Sequence, residues 1–215
     1  MDDIPAGYTR VTEPLKRFTD FSNIPPAVLA NAADRGTRVH KYCELFVANM
    51  CFFEVDIDCE AYVDSFREWY KNNVTRVLYS ELRINSARHM LSGAVDLVCE
   101  LNQRDGVYLI DIKTPATESK TWALQTAAYG MLMREELGIV CNRVALMLPK
   151  KGGSATEVYY QHWQDEPRYM AALDLHRYFN GPIETDFGKR ALALSRSLVP
   201  QQAAYNKRQG VEKNE

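Results

Sequence analysis

Hydrophobic residues recur along this chain with two different periods, and the switches between them mark out its elements. Residues 1–24 are polar and broken by Pro5, Gly7 and Pro14, which predicts an irregular lead-in. After Pro25 and Pro26, the residues Val39, Cys43, Phe46, Val47 and Met50 recur at helical spacing and predict a long helix that begins no later than about Gly36. A second stripe, Tyr62, Phe66, Trp69 and Tyr70, predicts an amphipathic helix over 56–73 with Asp56 or Asp58 as its cap. At Val74 the pattern becomes β-branched and alternating (VTRVLYSELRI), the first strand of a sheet. The apolar runs AVDLVCEL and VYLIDI flank Arg104-Asp105-Gly106, a turn signal that folds them into an antiparallel hairpin.

A helix over 120–137 follows, with Ala123, Ala127, Ala128 and Gly130 small enough to let it lie against the sheet and Gly138 to close it. Two more strands, NRVALMLPK and ATEVYYQHW, are joined by the tip Lys150-Lys151-Gly152-Gly153, whose lysines read either as solubilising or as a phosphate contact. Helices over 165–180 and 185–198 and a mobile tail over 199–215 complete the chain. This order predicts an α/β fold with a central mixed β-sheet flanked by helices. It is read as a single domain over 1–215, with N-terminal helices in 25–73, sheet and helix in 74–162, and C-terminal helices in 163–198.

Composition narrows the class. With 215 residues, 46% hydrophobic and 25% charged, the chain has apolar material for one substantial core. No run of 18 apolar residues occurs and the first residues are acidic and polar, so neither a membrane partner nor a secretory signal is expected. The expected location is the cytoplasm, that of the host if the gene is viral. Five cysteines with no C-x₂-C pair give no disulfide framework and no iron–sulfur cluster. No phosphate-binding loop of the G-x-x-x-x-G-K type is present, which predicts no ATP site. A net charge of -2 argues against a protein that coats nucleic acid by bulk electrostatics, although acids that hold metal ions count toward that charge.

Candidate chemistry gathers in the hairpin. The strand period puts Asp111 and Lys113 of LIDIK on one face, with Ile110 and Ile112 on the other, and the hairpin brings Asp96 close to Asp111. Two adjacent carboxylates repel unless a cation sits between them, and a hard divalent ion with oxygen ligands, one or two Mg²⁺ or Mn²⁺, meets that need. Lys113 would then orient a metal-bound water or offset charge on a phosphate oxygen. A lone Asp-x-Lys triplet is more often a solvated strand end.

The order Gly93-x-x-Asp96, Asp111-x-Lys113, Gln125-x-x-x-Tyr129, preceded by Gly36-Thr-Arg-Val-His40, resembles the PD-(D/E)XK nuclease superfamily and most of all its RecB-like exonuclease branch. The resemblance implies a restriction-endonuclease-like αβββαβ core and Asp96, Asp111 and Lys113 as the catalytic set. It implies metal ligation by His40, Asp96, Asp111 and the main-chain carbonyl of Ile112, with Gln125, Tyr129 and Thr114 on the substrate. Glu81, Glu44 and Trp122 are further candidates, Trp122 either as a base-stacking platform or as core. The expected activity is metal-dependent exonucleolytic cleavage of DNA from a free end, in recombination, repair or replication. A homo-oligomer or a recombination or replication partner protein would suit it. The alternatives are an endonuclease or flap nuclease of the same fold, or a nuclease fold retired to DNA binding.

Overall fold

The computed structural model describes residues 4–50 and 54–181. In chain order the elements are β1 (Thr9–Arg10), α1 (Pro26–Val47), α2 (Ile57–Asn73), β2 (Val74–Ser86), β3 (Leu91–Leu101), β4 (Val107–Lys113), α3 (Lys120–Leu137), β5 (Cys141–Met147), β6 (Thr156–Tyr160) and α4 (Asp165–Asn180). From α2 to β5 this is the αβββαβ order. The six strands form one mixed sheet: β2–β3, β3–β4 and β5–β6 are antiparallel, and β4–β5 and β1–β3 are parallel. The described residues up to Arg177 form one unit, and those from Tyr178 to Gly181, the end of α4 and the residue after it, belong to a second.

Helices cover both faces of the sheet, each over its own core. Val39 and Cys43 of α1 and Tyr62, Phe66 and Trp69 of α2 pack on Leu97, Cys99, Ile110, Ile112 and Leu146. On the other face Ala128, Met131 and Leu132 of α3 and Tyr169 of α4 pack on Val95, Val98 and Leu109. Burying apolar surface at about 25 cal/mol per Å² makes these two layers the main source of stability. Helix α3 starts on the hydroxyl of Ser119, which accepts from the Thr121 amide, and ends at Gly138 in the left-handed conformation, φ 69°, its amide bonded to Arg134. No described helix is long and apolar enough to cross a membrane.

One strand organises the rest. Along its whole length β3 pairs with β2 on one edge, from Leu91 opposite Ser86 to Leu101 opposite Val74. Its other edge is shared: β1 pairs only with Leu91 and Ser92, and β4 only with Leu97 to Glu100. Between them, residues 93–96 have no strand beside them, so the sheet has a slot one strand wide. Here the side-chain alternation of β3 also breaks, since Val95 faces the α3 core and Leu97, two residues on, faces the α1–α2 core. Across from this point Glu81 of β2 has φ 50°, a left-handed conformation that costs a non-glycine residue about 1 kcal/mol or more.

The structure corrects three expectations. The lead-in is not irregular throughout: β1 joins the sheet in parallel, and Val11 and Leu15 are buried in the α3-side core. Met50 is not on the buried stripe of α1, because the helix stops at Val47 and the chain turns through Asn49 at φ 56°, leaving Met50 exposed. Asp56 occupies the cap position of α2 but its carboxylate makes no cap bond and is taken by Arg38 instead. The helix expected over 185–198 and the tail over 199–215 lie outside the described residues.

Candidate active site and metal centre

The slot in the sheet is where the chemical side chains meet. Asp96 stands where β3 loses its neighbour. Its Oδ2 accepts the main-chain amide of Ile112 at 2.6 Å, taking the place of a ladder bond between β3 and β4. Its Oδ1 lies 3.1 Å from Nδ1 of His40, which α1 lowers from the α1–α2 face. The register of Ser80 with Leu97 and of Leu82 with Val95 sets Glu81 opposite Asp96. The ligand atoms of His40, Glu81 and Asp96 all lie within 4.8 Å of one another.

The second half of the site belongs to the α3 face. Asp111 shares that face with Leu109, while Ile110 and Ile112 are buried in the opposite core as their alternation requires. Lys113 donates to Oε1 of Gln125 at 2.9 Å, and the Gln125 amide donates to Oδ1 of Asp111 at 3.3 Å and to the Tyr129 hydroxyl at 3.2 Å. Oδ2 of Asp111 touches Nζ of Lys113 at 2.6 Å but without hydrogen-bond alignment, and this buried oxygen has no hydrogen-bond partner. Because β4 parts from β3 at Ile110, acids and cations from opposite faces of the sheet can act on one space.

Electrostatics follow from burial and proximity. Burial raises the Glu81 carboxyl, the charge of Asp96 adds to this, and its pKa reaches about 7 despite His40. Burial likewise pushes Asp111 above the usual carboxylate range, with Lys113 compensating in part and the charge of Asp96 adding to the rise. Asp96 goes the other way: burial works against its charge, but His40, the Ile112 amide and Lys113 together hold it below the usual range. Burial lowers the His40 imidazole, and Asp96, with Asp111 behind it, more than reverses that, so its pKa rises to about 8. The Tyr129 hydroxyl, raised by burial and by Asp111, stays protonated. One lysine and one histidine thus face three acids, two of which resist ionisation.

Of the other residues singled out from sequence, Thr114 lies at the lip of the site, its hydroxyl 3.4 Å from where a side chain on Gly36 would begin. Glu44 is outside the ligand group, paired with Lys41 at 2.7 Å. Trp122 is 6% exposed and lies under Lys113, whose ammonium is 5.6 Å from the ring centroid. That contact positions the lysine, and the burial of the ring fits the core reading of Trp122. Gly93 lies close against its neighbour, since a methyl group there would stand 3.0 Å from the Tyr129 ring.

Sequence reading missed Arg38. Its guanidinium donates to Asp34 at 2.9 Å, Asp56 at 2.6 Å and Asp58 at 2.8 Å, tying α1 to the start of α2 two residues before His40. Its only local signal was the Asp34–Arg38 spacing of four.

No family model matches the chain, and no curated protein matches it. Among solved structures it is similar to a candidate exonuclease from Eubacterium rectale, with TM-score 0.42 and 11% identity, over 68% of this chain and 64% of that one. It is also similar to the protein SSO0001, with TM-score 0.39 and 12% identity, over 83% of this chain and 79% of that one. This chain therefore spans a little under two thirds of the Eubacterium rectale protein. Likeness at this distance carries no argument about activity, which has to rest on the residues.

Proposed function

We propose that this chain is a metal-dependent deoxyribonuclease that hydrolyses phosphodiester bonds from a DNA end. The observation that carries the reading is the slot in the sheet, which sets His40, Glu81 and Asp96 within ligand distance on one side and the Asp111–Lys113–Gln125 network on the other. Carboxylate oxygens with one imidazole suit Mg²⁺ or Mn²⁺, and Oδ2 of Asp111, ion-paired with Lys113 but without a hydrogen bond, is an oxygen that such an ion would take up. His40, Asp96 and Asp111 are the ligands we assign, with Glu81 beside them and the Ile112 carbonyl as a main-chain contribution. The bound ion would polarise the scissile phosphate and lower the pKa of a water.

The chain's own residues supply the rest. Lys113, held by Gln125 and by the ring of Trp122, aims an ammonium at the space in front of Asp111. There it orients the attacking water and offsets the negative charge that grows on the phosphoryl oxygens. In the hydrolysis, the water oxygen bonds to phosphorus, the bond to the leaving sugar oxygen breaks, and that oxygen takes up a proton. Gln125 and Tyr129 hold Lys113 in place and meet the strand backbone together with Thr114. Without the ion, His40 bears a proton against Asp96, and that proton leaves when the imidazole becomes a ligand.

Such an enzyme would work on DNA ends in recombination, repair or replication. The test is end-labelled linear DNA and covalently closed circles of the same sequence, with Mn²⁺ and with EDTA. Linear DNA shortens from its ends in Mn²⁺ alone, and circles persist. Nicked circles would make the enzyme an endonuclease; no cleavage of either substrate in Mn²⁺ or Mg²⁺ would overturn the assignment.

A further inference from the structure

The loop over 114–119 joins Lys113, at the end of β4, to the helix that carries Gln125 and Tyr129. It therefore sets how the two partners of the Lys113–Gln125 bond meet. Pro115, Ala116, Thr117 and Glu118 are exposed, and among the described residues no main-chain hydrogen bond ties 114–118 to the body of the protein. The Leu148 amide donates to the Lys113 carbonyl at 2.8 Å before the loop, and the Trp122 amide to the Ser119 carbonyl at 3.0 Å after it. The hydrogen bond that anchors the stretch between them comes from a side chain: the Tyr160 hydroxyl donates to Oε1 of Glu118 at 2.7 Å.

Tyr160 is itself a fixed point. It ends β6 opposite Arg143 of β5, and the Arg143 side chain crosses α3 with its Cδ 3.4 Å from where a side chain on Gly130 would begin. The guanidinium donates to the Ala123 carbonyl at 3.2 Å and to the carboxylate of buried Asp165 at 3.0 Å. The β5–β6 pair thus grips α3 at Ala123 and its leader at Glu118, on either side of Ser119, whose hydroxyl starts the helix. Gln125 lies two residues beyond that grip. Burial and the Glu118 carboxylate raise the pKa of the Tyr160 hydroxyl, so it stays a donor, and the charge of Asp111 reaches it as well. The chemistry described so far uses neither Glu118 nor Tyr160.

Resting on the nuclease reading, we propose that Glu118 and Tyr160 are positioning residues for the hydrolysis: their hydrogen bond holds the loop in the arrangement in which Gln125 meets Lys113 in front of Asp111. Neither side chain touches the reacting atoms; both act through the first turns of α3. A hydrogen bond on an exposed loop adds little net stability, because water replaces it when it breaks. Its weight falls on geometry instead, since a shift of about 1 Å far from the chemistry can cost about a hundredfold in rate. Loss of the bond therefore shows in turnover and hardly in folding.

The test is cleavage of end-labelled linear DNA in Mn²⁺ by the full chain and by Tyr160→Phe, Glu118→Ala, their double variant and Glu118→Gln. Tyr160→Phe and Glu118→Ala each lower kcat about tenfold to a hundredfold, with KM, Mn²⁺ affinity and melting temperature near those of the unaltered protein. The double variant falls no lower than either single one, because both remove the same bond. Glu118→Gln, whose amide oxygen still accepts, keeps most of the rate. In EDTA, with no turnover at all, the amides of Leu124 and Gln125 exchange faster in Tyr160→Phe while those of Leu132 and Met133 do not change. Full kcat in Tyr160→Phe, unchanged exchange at Leu124 and Gln125, or single losses that multiply in the double variant overturn the proposal and leave the nuclease reading standing. A rise in KM at unchanged kcat overturns it as well, since the pair would then be a DNA contact. No cleavage by the unaltered protein in Mn²⁺ or Mg²⁺ overturns both.

Discussion

Two groups of acids in this molecule stand close enough to hold one ion, and each has met its own repulsion differently. Asp56, Asp58 and Cys59 at the start of α2 have ligand atoms within 4.8 Å of one another, the same limit that gathers His40, Glu81 and Asp96. In the first group Arg38 reaches in from α1 and donates to both aspartates, and hydrogen bonds from it hold both carboxyls below the usual range. The cation there is part of the chain. In the second group the protein supplies only His40 and, across the slot, Lys113, and Glu81 rises to about 7. Proximity of acids says little by itself; what separates a structural clamp from a candidate metal centre is whether the fold has already supplied the countercharge.

The largest effect that tests this contrast is on turnover. Lys113→Ala should lower cleavage of linear DNA in Mn²⁺ by about 10²- to 10³-fold, the size seen when a group that stabilises transition-state charge is removed. Its melting temperature should stay near that of the unaltered protein. A loss of activity that tracks a loss of folding would take Lys113 out of its assigned role.

Metal binding divides the two clusters directly. By titration calorimetry Asp96→Asn and Asp111→Asn should each weaken Mn²⁺ about a hundredfold or more, with His40→Ala smaller because no formal charge is lost. Asp58→Asn should leave Mn²⁺ affinity unchanged, since Arg38 already fills that site. Equal losses in Asp58→Asn and Asp96→Asn would erase the distinction.

The smallest effect is on stability in EDTA. An acid whose pKa is raised by folding favours the fold while it is neutral, so its burden is absent below about pH 4.5 and grows as pH rises through about 7. With partial exposure to solvent allowed for, ionised Glu81 costs the metal-free protein about 1 kcal/mol. Glu81→Gln should therefore raise the melting temperature at pH 8 and leave it nearly unchanged at pH 4. A variant less stable than the parent at pH 8 would show that the carboxylate is already satisfied by its neighbours.

What could be read in the sequence was what neighbouring residues decide. Helix α3 fell on its expected residues because Ser119 and Gly138 punctuate it, and the β3–β4 hairpin followed from Asp105-Gly106 between two apolar runs. Strand β1 was illegible: two residues cannot show a period, and only its parallel pairing with β3 makes it a strand. The same limit hid the slot, since nothing in the β3 sequence says that its second edge is shared by two strands. Within the site, placing Asp111 and Lys113 together needed only the strand period. Setting Glu81 opposite Asp96 needed the register of β2 on β3, which neighbouring residues do not encode, and Arg38 needed the docking of α1 on α2.

The amide of Ile112 gives the site a reporter of its own. It is a main-chain proton in the middle of a sheet, yet what shields it is a side chain, Oδ2 of Asp96 at 2.6 Å, and not a strand. Its neighbours Ile110 and Leu109 lie in the regular ladders of β4 with β3 and with β5 and exchange with solvent only when those ladders open. The Ile112 proton answers instead to one carboxylate, and will exchange at a rate set by how that carboxylate is engaged. An ion drawing Asp96 aside, a neutral Asn in its place or a strand threaded through the slot would each shift that single amide in a deuterium-exchange spectrum while Leu109 and Ile110 keep time as an internal clock.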